Sequence, residues 1–455
     1  MIVTLRNKIE ITDPIPEIRK YIKETLTLPN PLWQRLKRMG NTRALYGCPK
    51  DFKYYEESKD GRSFRVGRGT RSELEQRDCV IDDRTEGQEV SFKSTIVLRE
   101  YQEGIVEEVT KHREGIIKLG TGFGKTIIAL NIAETLGLKT LIIVPRLHIK
   151  AAFEKEIEQY FGFDPRKGTS PIEVRTLQTL QRCTASTASQ GHDNKYGLVI
   201  VDEAHTTVPQ KSRQVIESFA PKYLYGMTAT PRRTDGQGNA LGFMYGKILV
   251  DKALPRKSPT VKIIPYANKI EDWDYPSIIK TQTQDPERNS LIARIVEREA
   301  SRGRRCLVLT KRIEHYELIL DALRSIPNRK AGGVTLPPDG IIALRSEGTA
   351  TARALELDDL RSGRRDFSIL LSTFSLAATG VDIPSIDVVC FAGDLKSDVL
   401  QEQGIGRCLR ILDGKPDAKV IDIVDTGNPI LKRQGQLRRK FYMAQGWKIE
   451  YGEGS

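Results

Sequence analysis

Residues 120–126 read GTGFGKT and follow directly on the apolar run GIIKL at 115–119. A phosphate-binding loop needs glycines that turn backbone N–H groups inward, a lysine for the β- and γ-phosphates, and a hydroxyl residue for Mg2+. Gly120, Gly122 and Gly124 meet the first need, Lys125 the second and Thr126 the third, with Thr121 and Phe123 filling the loop. The strict pattern G-x-x-x-x-G-K-[ST] also asks for a glycine at 119, where this chain has leucine. Taken alone, the stretch admits two readings: a nucleotide site, or a glycine-rich structural turn. Its surroundings suit the first, because a strand-like run enters the loop and the helical pattern TIIALNIAETLGL leaves it.

A second stretch completes the reading. LVIVDEAH at 198–205 is an apolar strand pattern ending in two adjacent carboxylates. An acid at the carboxyl end of a neighbouring parallel strand faces the phosphate loop across the crevice of an open α/β sheet. Asp202 is then placed to hold Mg2+, and Glu203 to orient and deprotonate an attacking water. In isolation the same letters suit a helix with acids at its N-terminus. After a buried strand, and downstream of the loop, they read with it as one nucleotide site.

Around these two stretches, strand-like runs alternate with helical ones, the pattern of a parallel sheet covered on both faces. The alternation fills 95–255, gives way to the polar stretch EDWDYPSIIKTQTQDPERN (271–289), and resumes with RCLVLT, GIIALRS, FSILLST, VVCFAG and AKVIDIVD. Residues 1–94 are irregular: a helix is expected after Pro31, and short strands around a turn at Asp60-Gly61. The expected fold class is therefore α/β: two tandem parallel-sheet domains, 95–255 and 256–455, preceded by a small α+β domain, 1–94.

The chain has 455 residues, 39% hydrophobic and 29% charged, and a formal net charge of +13. That excess favours a polyanionic partner, although a merely basic surface carries the same sum. Six scattered cysteines without a C-x-x-C pair argue against a disulfide framework or a zinc site. The start, MIVTLRNKIEITDP, lacks an apolar signal core, and no window reaches membrane-spanning length. The expectation is a soluble cytoplasmic protein (host cytoplasm if viral) with no membrane partner.

Together, GTGFGKT and DEAH resemble the ATPase core of superfamily 2 helicases and translocases, in which the first glycine of the loop is commonly replaced. LREYQ (98–102) is similar to the family's adenine-recognising segment, here Arg99 and Gln102. LIIVPR (141–146) and VRTLQTL (174–180) resemble motifs Ia and Ib, and GMTATPRRTDG (226–236) carries the coupling triplet Thr228-Ala229-Thr230. LVLTKRIEH (307–315), STFSLAATGVDIPSID (372–387) and QEQGIGRCLR (401–410) resemble motifs IV, V and VI, so the series runs in family order from 98 to about 426.

The resemblance implies two RecA-like domains of the P-loop NTPase type, with ATP and Mg2+ as cofactors. ATP is implied at Arg99, Gln102, the loop 120–126 (Gly120, Thr121, Gly122, Phe123, Gly124, Lys125, Thr126), Gly380, Asp382 and Gln403, and Mg2+ at Thr126 and Asp202. Catalysis falls to Glu203, Asp202, Lys125, Arg407 and Arg410, and coupling to His205, Thr228 and Thr230. Phosphoryl transfer spreads negative charge over the γ-phosphate, which is why guanidinium groups such as Arg407 and Arg410 belong in such a site. Strand contacts are implied at Pro145, Arg146, Thr176, Gln178, Thr310, Lys311, Arg312, Ser372 and Thr373.

Within the superfamily, the absence of S-A-T at motif III and of a histidine at motif VI sets the chain apart from DEAD-box RNA helicases. It looks more like DNA-directed enzymes: phage UvsW-type recombination helicases, their T5-like relatives and, more distantly, RecG- and XPB-type proteins. That implies a monomeric ATP-dependent DNA helicase acting on forked or branched DNA, in replication, recombination or repair, by branch migration. The alternatives are a restriction-type translocase or nuclease subunit, and an RNA helicase. For a nuclease only DDRTEGQEVSFK (82–93) suggests a site, and Glu89 to Lys93 does not fit an E-x-K pair.

Branch recognition is expected in residues 1–94, through Arg35, Lys37, Arg38, Arg62, Arg65 and Arg68 with Trp33, Tyr54, Tyr55 and Phe64; Trp33 also suits a core position. A chain starting near Ser94 would then keep some DNA-stimulated ATPase activity. The C-terminal run LKRQGQLRRKFYMAQGWKIEYGEGS suits a nucleic-acid track or, equally, a helix packing Phe441, Tyr442 and Trp447 on the second domain.

Overall fold

Short strands with alternating apolar residues open the chain in the computed structural model, which describes residues 1–120, 122–186, 195–229, 239–253, 258–267, 270–272, 274–326, 330–331, 334–335, 340–344, 350–374, 376, 383, 385–393 and 417–452. β1 (Ile2–Leu5), β2 (Ile9–Thr12), β3 (Tyr55–Glu57), β4 (Ser63–Val66) and β5 (Asp82–Asp83) form one sheet in the order β3-β4-β2-β1-β5. All its pairings are antiparallel except β1 with β5. Val3, Leu5, Ile9, Ile11, Phe64 and Val66 are buried in one cluster with Ile18 and Ile22 of α1 (Pro16–Thr25). Asp60-Gly61 turns the chain between β3 and β4, as expected. A helix also follows Pro31: α2 (Pro31–Arg38), then the short α3 (Thr42–Leu45). It has no buried residue, so Trp33 is not a core residue.

The first motor sheet contains β6 (Glu114–Leu119), β7 (Thr140–Val144), β8 (Ile172–Thr176), β9 (Leu198–Asp202), β10 (Tyr223–Thr228) and β11 (Ile248–Lys252). Every pairing is parallel, in the order β8-β7-β9-β10-β6-β11. TLIIV in β7 and LVIVD in β9 are buried at every residue, because helices cover both faces. Successive side chains alternate between two cores: Ile116, Leu141, Ile143, Val199 and Val201 in one, Ile117, Leu119, Ile142, Val144 and Ile200 in the other. α4 (Lys125–Leu136) and α5 (Leu147–Phe161) belong to the second face, and α6 (Ala240–Tyr245) to the first.

The first core does not stop at the sheet. It runs without a break into the N-terminal domain, so residues 1–94 and the first motor domain lie in one unit, Met1–Leu254. A Cβ at Gly67 would lie 2.2 Å from the Phe243 carbonyl oxygen, and one at Gly69 would lie 2.1 Å from that of Gly242. Only glycine allows this approach to α6. Beside it, buried Arg68 donates to Glu114 Oε1 at 2.8 Å and to the Pro221 carbonyl. Residues 84–95 run as a strap along the motor domain: Lys139 N–H donates to Gln88 O (2.7 Å), Val90 N–H to Gly137 O (2.9 Å) and Thr95 N–H to Tyr160 O (2.9 Å).

The second unit, Pro255–Ser455, holds a seven-stranded sheet. Its strands are β12 (Thr260–Tyr266), β13 (Cys306–Thr310), β14 (Ile341–Ala343), β15 (Ile369–Thr373), β16 (Val388–Phe391), β17 (Lys419–Asp425) and β18 (Lys448–Tyr451). They are all parallel, in the order β14-β15-β13-β16-β17-β12-β18. The fold is thus α/β, two tandem RecA-like domains behind a small α+β domain.

From 274 on, the polar stretch 271–289 is more ordered than its composition suggests. It opens two helices, α7 (Tyr275–Gln284) and α8 (Pro286–Ala300), capped by the side chains of Asp274 and Asp285. Pro276 and Pro286 occupy the first turn of a helix, where no N–H is needed. α8 is pinned by Arg288, fully buried, whose guanidinium reaches Asp425 at 2.9 and 3.1 Å and the Ala392 carbonyl at 2.7 Å. Arg288→Ala strands the Asp425 carboxylate in the core, and we expect a loss of about 3–5 kcal/mol, read as a lower thermal midpoint for the second domain.

After α9 (Ile313–Arg324) and α10 (Ala350–Ser362), α11 (Pro429–Ala444) leads into the last strand, β18. α11 decides between the two C-terminal readings. Tyr442 is buried and donates to Asp422 at 2.9 Å, Arg438 is buried against the same carboxylate, and Trp447 stacks on Tyr442 with ring centroids 5.9 Å apart. The aromatics pack on the domain, while Lys432, Arg433, Arg439 and Lys440 are exposed.

Candidate nucleotide site and the loops around it

Because every strand of the first motor sheet runs the same way, the segments singled out in the sequence emerge at one edge. Leu119, Val144, Thr176, Asp202 and Thr228 are the last residues of their strands. Carboxyl edges of this kind are where open α/β sheets bind ligands. Leu119 is itself buried in the sheet core, so the position at which the strict pattern wants glycine belongs to the strand and not to the loop. That resolves its departure from the pattern.

Gly122 and Gly124 have φ of +84° and +87°, the left-handed region. Gly124 is constrained twice, since a Cβ there would lie 2.4 Å from Gln102 Nε2. Gln102 is buried, and its amide donates to the Phe123 carbonyl at 2.8 Å while its Oε1 accepts from the Arg99 N–H at 3.0 Å. The segment 98–102 is thereby fastened to the phosphate loop. Arg99 is exposed and donates to the Tyr101 hydroxyl at 2.8 Å; Tyr101 meets Phe123 edge to face, with centroids 5.0 Å apart. Tyr101 was not singled out in the sequence, where a tyrosine between two polar residues carries no periodic signal.

Lys125 opens α4 and donates to Glu203 Oε1 at 2.9 Å. The strand carrying Asp202 is not next to the one entering the loop, as the sequence reading supposed: β10 lies between β9 and β6. Lys125 and Glu203 therefore meet from strands on either side of the one that ends in Thr228. Burial lowers the affinity of Lys125 for its proton, and the carboxylates of Glu203 and Asp202 more than restore it. Burial likewise pushes the Asp202 carboxyl up to about 6, against the pull of Lys125 and with the push of Glu203.

Glu203 itself has φ +48°, a strained setting for a side chain of its size, at the entrance to a short 3-10 helix, Ala204–Thr207. Asp202 Oδ1 and Glu203 Oε2 are buried and have no hydrogen-bond partner among the described residues. Such orphaned carboxylate oxygens fit a divalent cation, and the Thr126 hydroxyl lies one residue beyond Lys125.

His205 Nδ1 lies 3.1 Å from the buried Thr228 hydroxyl and 3.4 Å from Glu203 Oε2, so two of the three residues expected to couple do meet. A further link escaped the sequence reading. Thr207 hydrogen-bonds the Tyr245 hydroxyl at 2.8 Å, which joins the loop after Asp202 to α6, the helix on which Gly67 and Gly69 dock. No local pattern marks it, because Tyr245 comes 38 residues later.

Among the strand-contact candidates, Arg146 and Gln178 are exposed and Pro145 is half-buried. Thr176 is buried, and its hydroxyl accepts from Thr179 N–H at 3.2 Å. In the second unit, Thr310 and Thr373 are register partners at the ends of adjacent strands. Thr310 and Ser372 are buried, Arg312 and Thr373 half-buried, and exposed Lys311 donates to the Tyr275 hydroxyl at 2.7 Å. Thr121, Thr230, Gly380, Asp382, Gln403, Arg407 and Arg410 lie outside the described residues. Among the described residues, no helix is long and apolar enough to cross a membrane.

The type III restriction enzyme res-subunit family (ResIII) matches residues 95–233. Frog virus 3 (isolate Goorha) protein 055L, which bears the name of a helicase, is 30% identical over 379 residues, or 79% of this chain and 80% of that protein. The ATP-dependent DNA helicase uvsW of Enterobacteria phage T4 is 22% identical over 387 residues, 77% of this chain and 73% of its own. Among solved structures, the DUF1998 helicase MrfA bound to DNA and AMPPNP aligns with a TM-score of 0.56 at 15% identity, over 88% of this chain and 55% of that one, a likeness of fold. With a fastened phosphate loop, a DEAH segment facing it and viral and phage helicases as relatives along most of its length, the chain belongs to the superfamily 2 helicases, carries a ResIII domain and uses ATP.

Proposed function

We propose that this helicase acts on DNA, and that it unwinds and remodels branched DNA: forks, Holliday junctions, D-loops and R-loops. The observation that carries the nucleotide half of this reading is the Lys125–Glu203 pair beside the buried Asp202 Oδ1, which accepts no hydrogen bond among the described residues. In this reading Lys125 exchanges Glu203 for the β- and γ-phosphate oxygens, which frees Glu203 to hold and take a proton from the attacking water. Asp202 and Thr126 would hold Mg2+, which would supply charge neutralisation at the phosphates. Gln102 and Arg99 meet the base, Arg407 and Arg410 answer the γ-phosphate, and Gly380, Asp382 and Gln403 complete the ATP site. His205, Thr228 and Thr230 relay its state, and Arg146, Gln178 and Lys311 meet a strand's backbone.

DNA in preference to RNA is supported by the motif III and VI residues and by the name of the phage T4 relative. Branched DNA is supported by the N-terminal domain, which shares its core with the first motor domain and so moves with it. A panel of fork, Holliday junction, R-loop, tailed duplex and tailed RNA duplex under ATP tests the reading. We expect forks and junctions to be processed at least tenfold faster than tailed duplexes, and DNA to stimulate hydrolysis more than RNA. Equal rates across the panel would refute branch specificity.

A restriction-type role is the second reading, favoured by the ResIII match. Against it, two of the four carboxylates of 82–93 have structural partners: Asp83 accepts from Arg71, Arg113 and Thr85, and Asp82 from Arg84. Plasmid cleavage in Mg2+ distinguishes the two.

A further inference from the structure

Residues 31–49 form an excursion from the N-terminal domain in which no side chain is buried. Nineteen such residues would ordinarily be a floppy loop, but the base of this one is clamped. Thr27–Pro29 and Asp51–Lys53 pair as antiparallel strands below it. Asn30, buried at 3% exposure, donates its amide to the Pro49 carbonyl at 2.7 Å and accepts from the N–H groups of Leu32 and Trp33 at 3.0 and 3.4 Å. Asn41 caps α3 in the same way, accepting from Ala44 N–H at 3.1 Å. The excursion is an ordered projection.

Its surface chemistry is one-sided. Between 31 and 50 stand Arg35, Lys37, Arg38, Arg43 and Lys50, with no aspartate or glutamate. None of the five forms an ion pair among the described residues. Lys37 and Lys50 sit over the Trp33 ring at 5.2 and 6.0 Å, so the indole holds two cations at the surface. The large apolar side chains of the same projection face solvent: Tyr46 is 96% exposed, Met39 68% and Leu32 51%. Clustered cations without acids call for a polyanion. Exposed flat and apolar groups among them call for a polyanion that also offers stacking faces, which paired DNA hides and unpaired bases present.

We infer that the 31–49 projection grips DNA where duplex opens into single strands, its cations on phosphates and Tyr46, with Met39 and Leu32, against unpaired bases. This rests on the helicase reading above and assigns the branch contact to one element of the N-terminal domain. It excludes other residues suggested by the sequence alone: Arg68, Tyr54 and Phe64 are buried and serve the core.

The test uses the full chain and fluorescence anisotropy with a labelled fork and a blunt duplex, across a salt series. The quadruple variant R35Q/K37Q/R38Q/R43Q is expected to lose at least tenfold in affinity for both DNAs. Its log–log salt dependence should flatten by about 2–4, near 0.9 for each phosphate that the variant leaves unneutralised. Tyr46→Ala is expected to lose about tenfold on the fork, in the range of one base stack, and less than twofold on the blunt duplex. ATP hydrolysis without DNA serves as the folding control and stays at the wild-type rate in both variants. Wild-type binding by the quadruple variant, as expected if the projection meets an acidic protein instead, overturns the inference. So does a Tyr46→Ala loss equal on fork and duplex. Failure of DNA to stimulate hydrolysis by the wild-type chain refutes the helicase reading separately.

Discussion

Glu203→Gln is expected to lower ATP turnover by about 10²–10⁴-fold, the range for removal of a positioned general base, while ATP still binds and the protein stays on DNA. Glutamine keeps the shape and an oxygen that can accept from Lys125, now 2.9 Å away, but it takes no proton. Asp202 and Thr126, the residues proposed to hold Mg2+, are untouched. Lys125→Ala is the contrasting case. It removes the cation proposed for the β- and γ-phosphates and leaves the carboxylates of Asp202 and Glu203 without it, so both ATP affinity and turnover should fall, the latter by at least about 10²–10³-fold. The fold should survive either change, because neither side chain belongs to an apolar core and both sit at the carboxyl edge of the sheet; a thermal melt of each variant checks this. Fluorescent-ATP binding and single-turnover hydrolysis on the same preparations separate the two effects. Normal hydrolysis by Glu203→Gln would place the base elsewhere, and normal hydrolysis by a folded Lys125→Ala protein would remove the phosphate loop from the reaction.

Deleting residues 1–93 is expected to yield an aggregated protein and not a working motor. Leu241, Met244 and the half-buried Phe243 of α6 lie in the same core as Ile18, Phe64 and Leu74, and Tyr54 meets Phe243 at 5.4 Å between ring centroids. Each large apolar side chain uncovered costs about 1.5–3 kcal/mol, and a domain's net stability is only about 5–15 kcal/mol. Loss of Arg68 adds a stranded Glu114 carboxylate, 7% exposed, at about 3–5 kcal/mol. Gly69→Val probes the same interface in the full chain, since a Cβ at Gly69 would lie 2.1–2.7 Å from backbone atoms of Gly242 and Tyr245 in α6 and of Gly246 just beyond it. A single lowered transition for both domains is expected in calorimetry. A soluble, DNA-stimulated ATPase starting at Ser94 would show that the shared core is dispensable. This expectation replaces the separable accessory domain suggested by the motif boundaries.

The difference shows what each level of description decides. GIIKL, TLIIV and LVIVD are short enough, and apolar enough on both faces, to specify buried parallel strands without any knowledge of their neighbours. Glycines before a lysine, and two acids after a strand, specify a phosphate loop and its counterpart, because these chemistries depend on a few consecutive residues. The ordered motif series placed the chain among the helicases for the same reason. Periodicity, however, says which face of an element is buried and not what covers it. That β10 lies between the strands of Lys125 and Glu203, and that α6 receives Gly67 and Gly69, depends on sheet order and on backbone approach across far-separated segments. Charge shows the same divide. Arg35, Arg68 and Arg438 look alike in sequence, yet Arg68 and Arg438 are buried by carboxylates at Glu114 and Asp422, while Arg35 has no such partner among the described residues and lies exposed. An arginine's role follows from the acid that folding brings to it. Only the tertiary structure could therefore separate the basic residues that hold this protein together from those it leaves exposed to a partner.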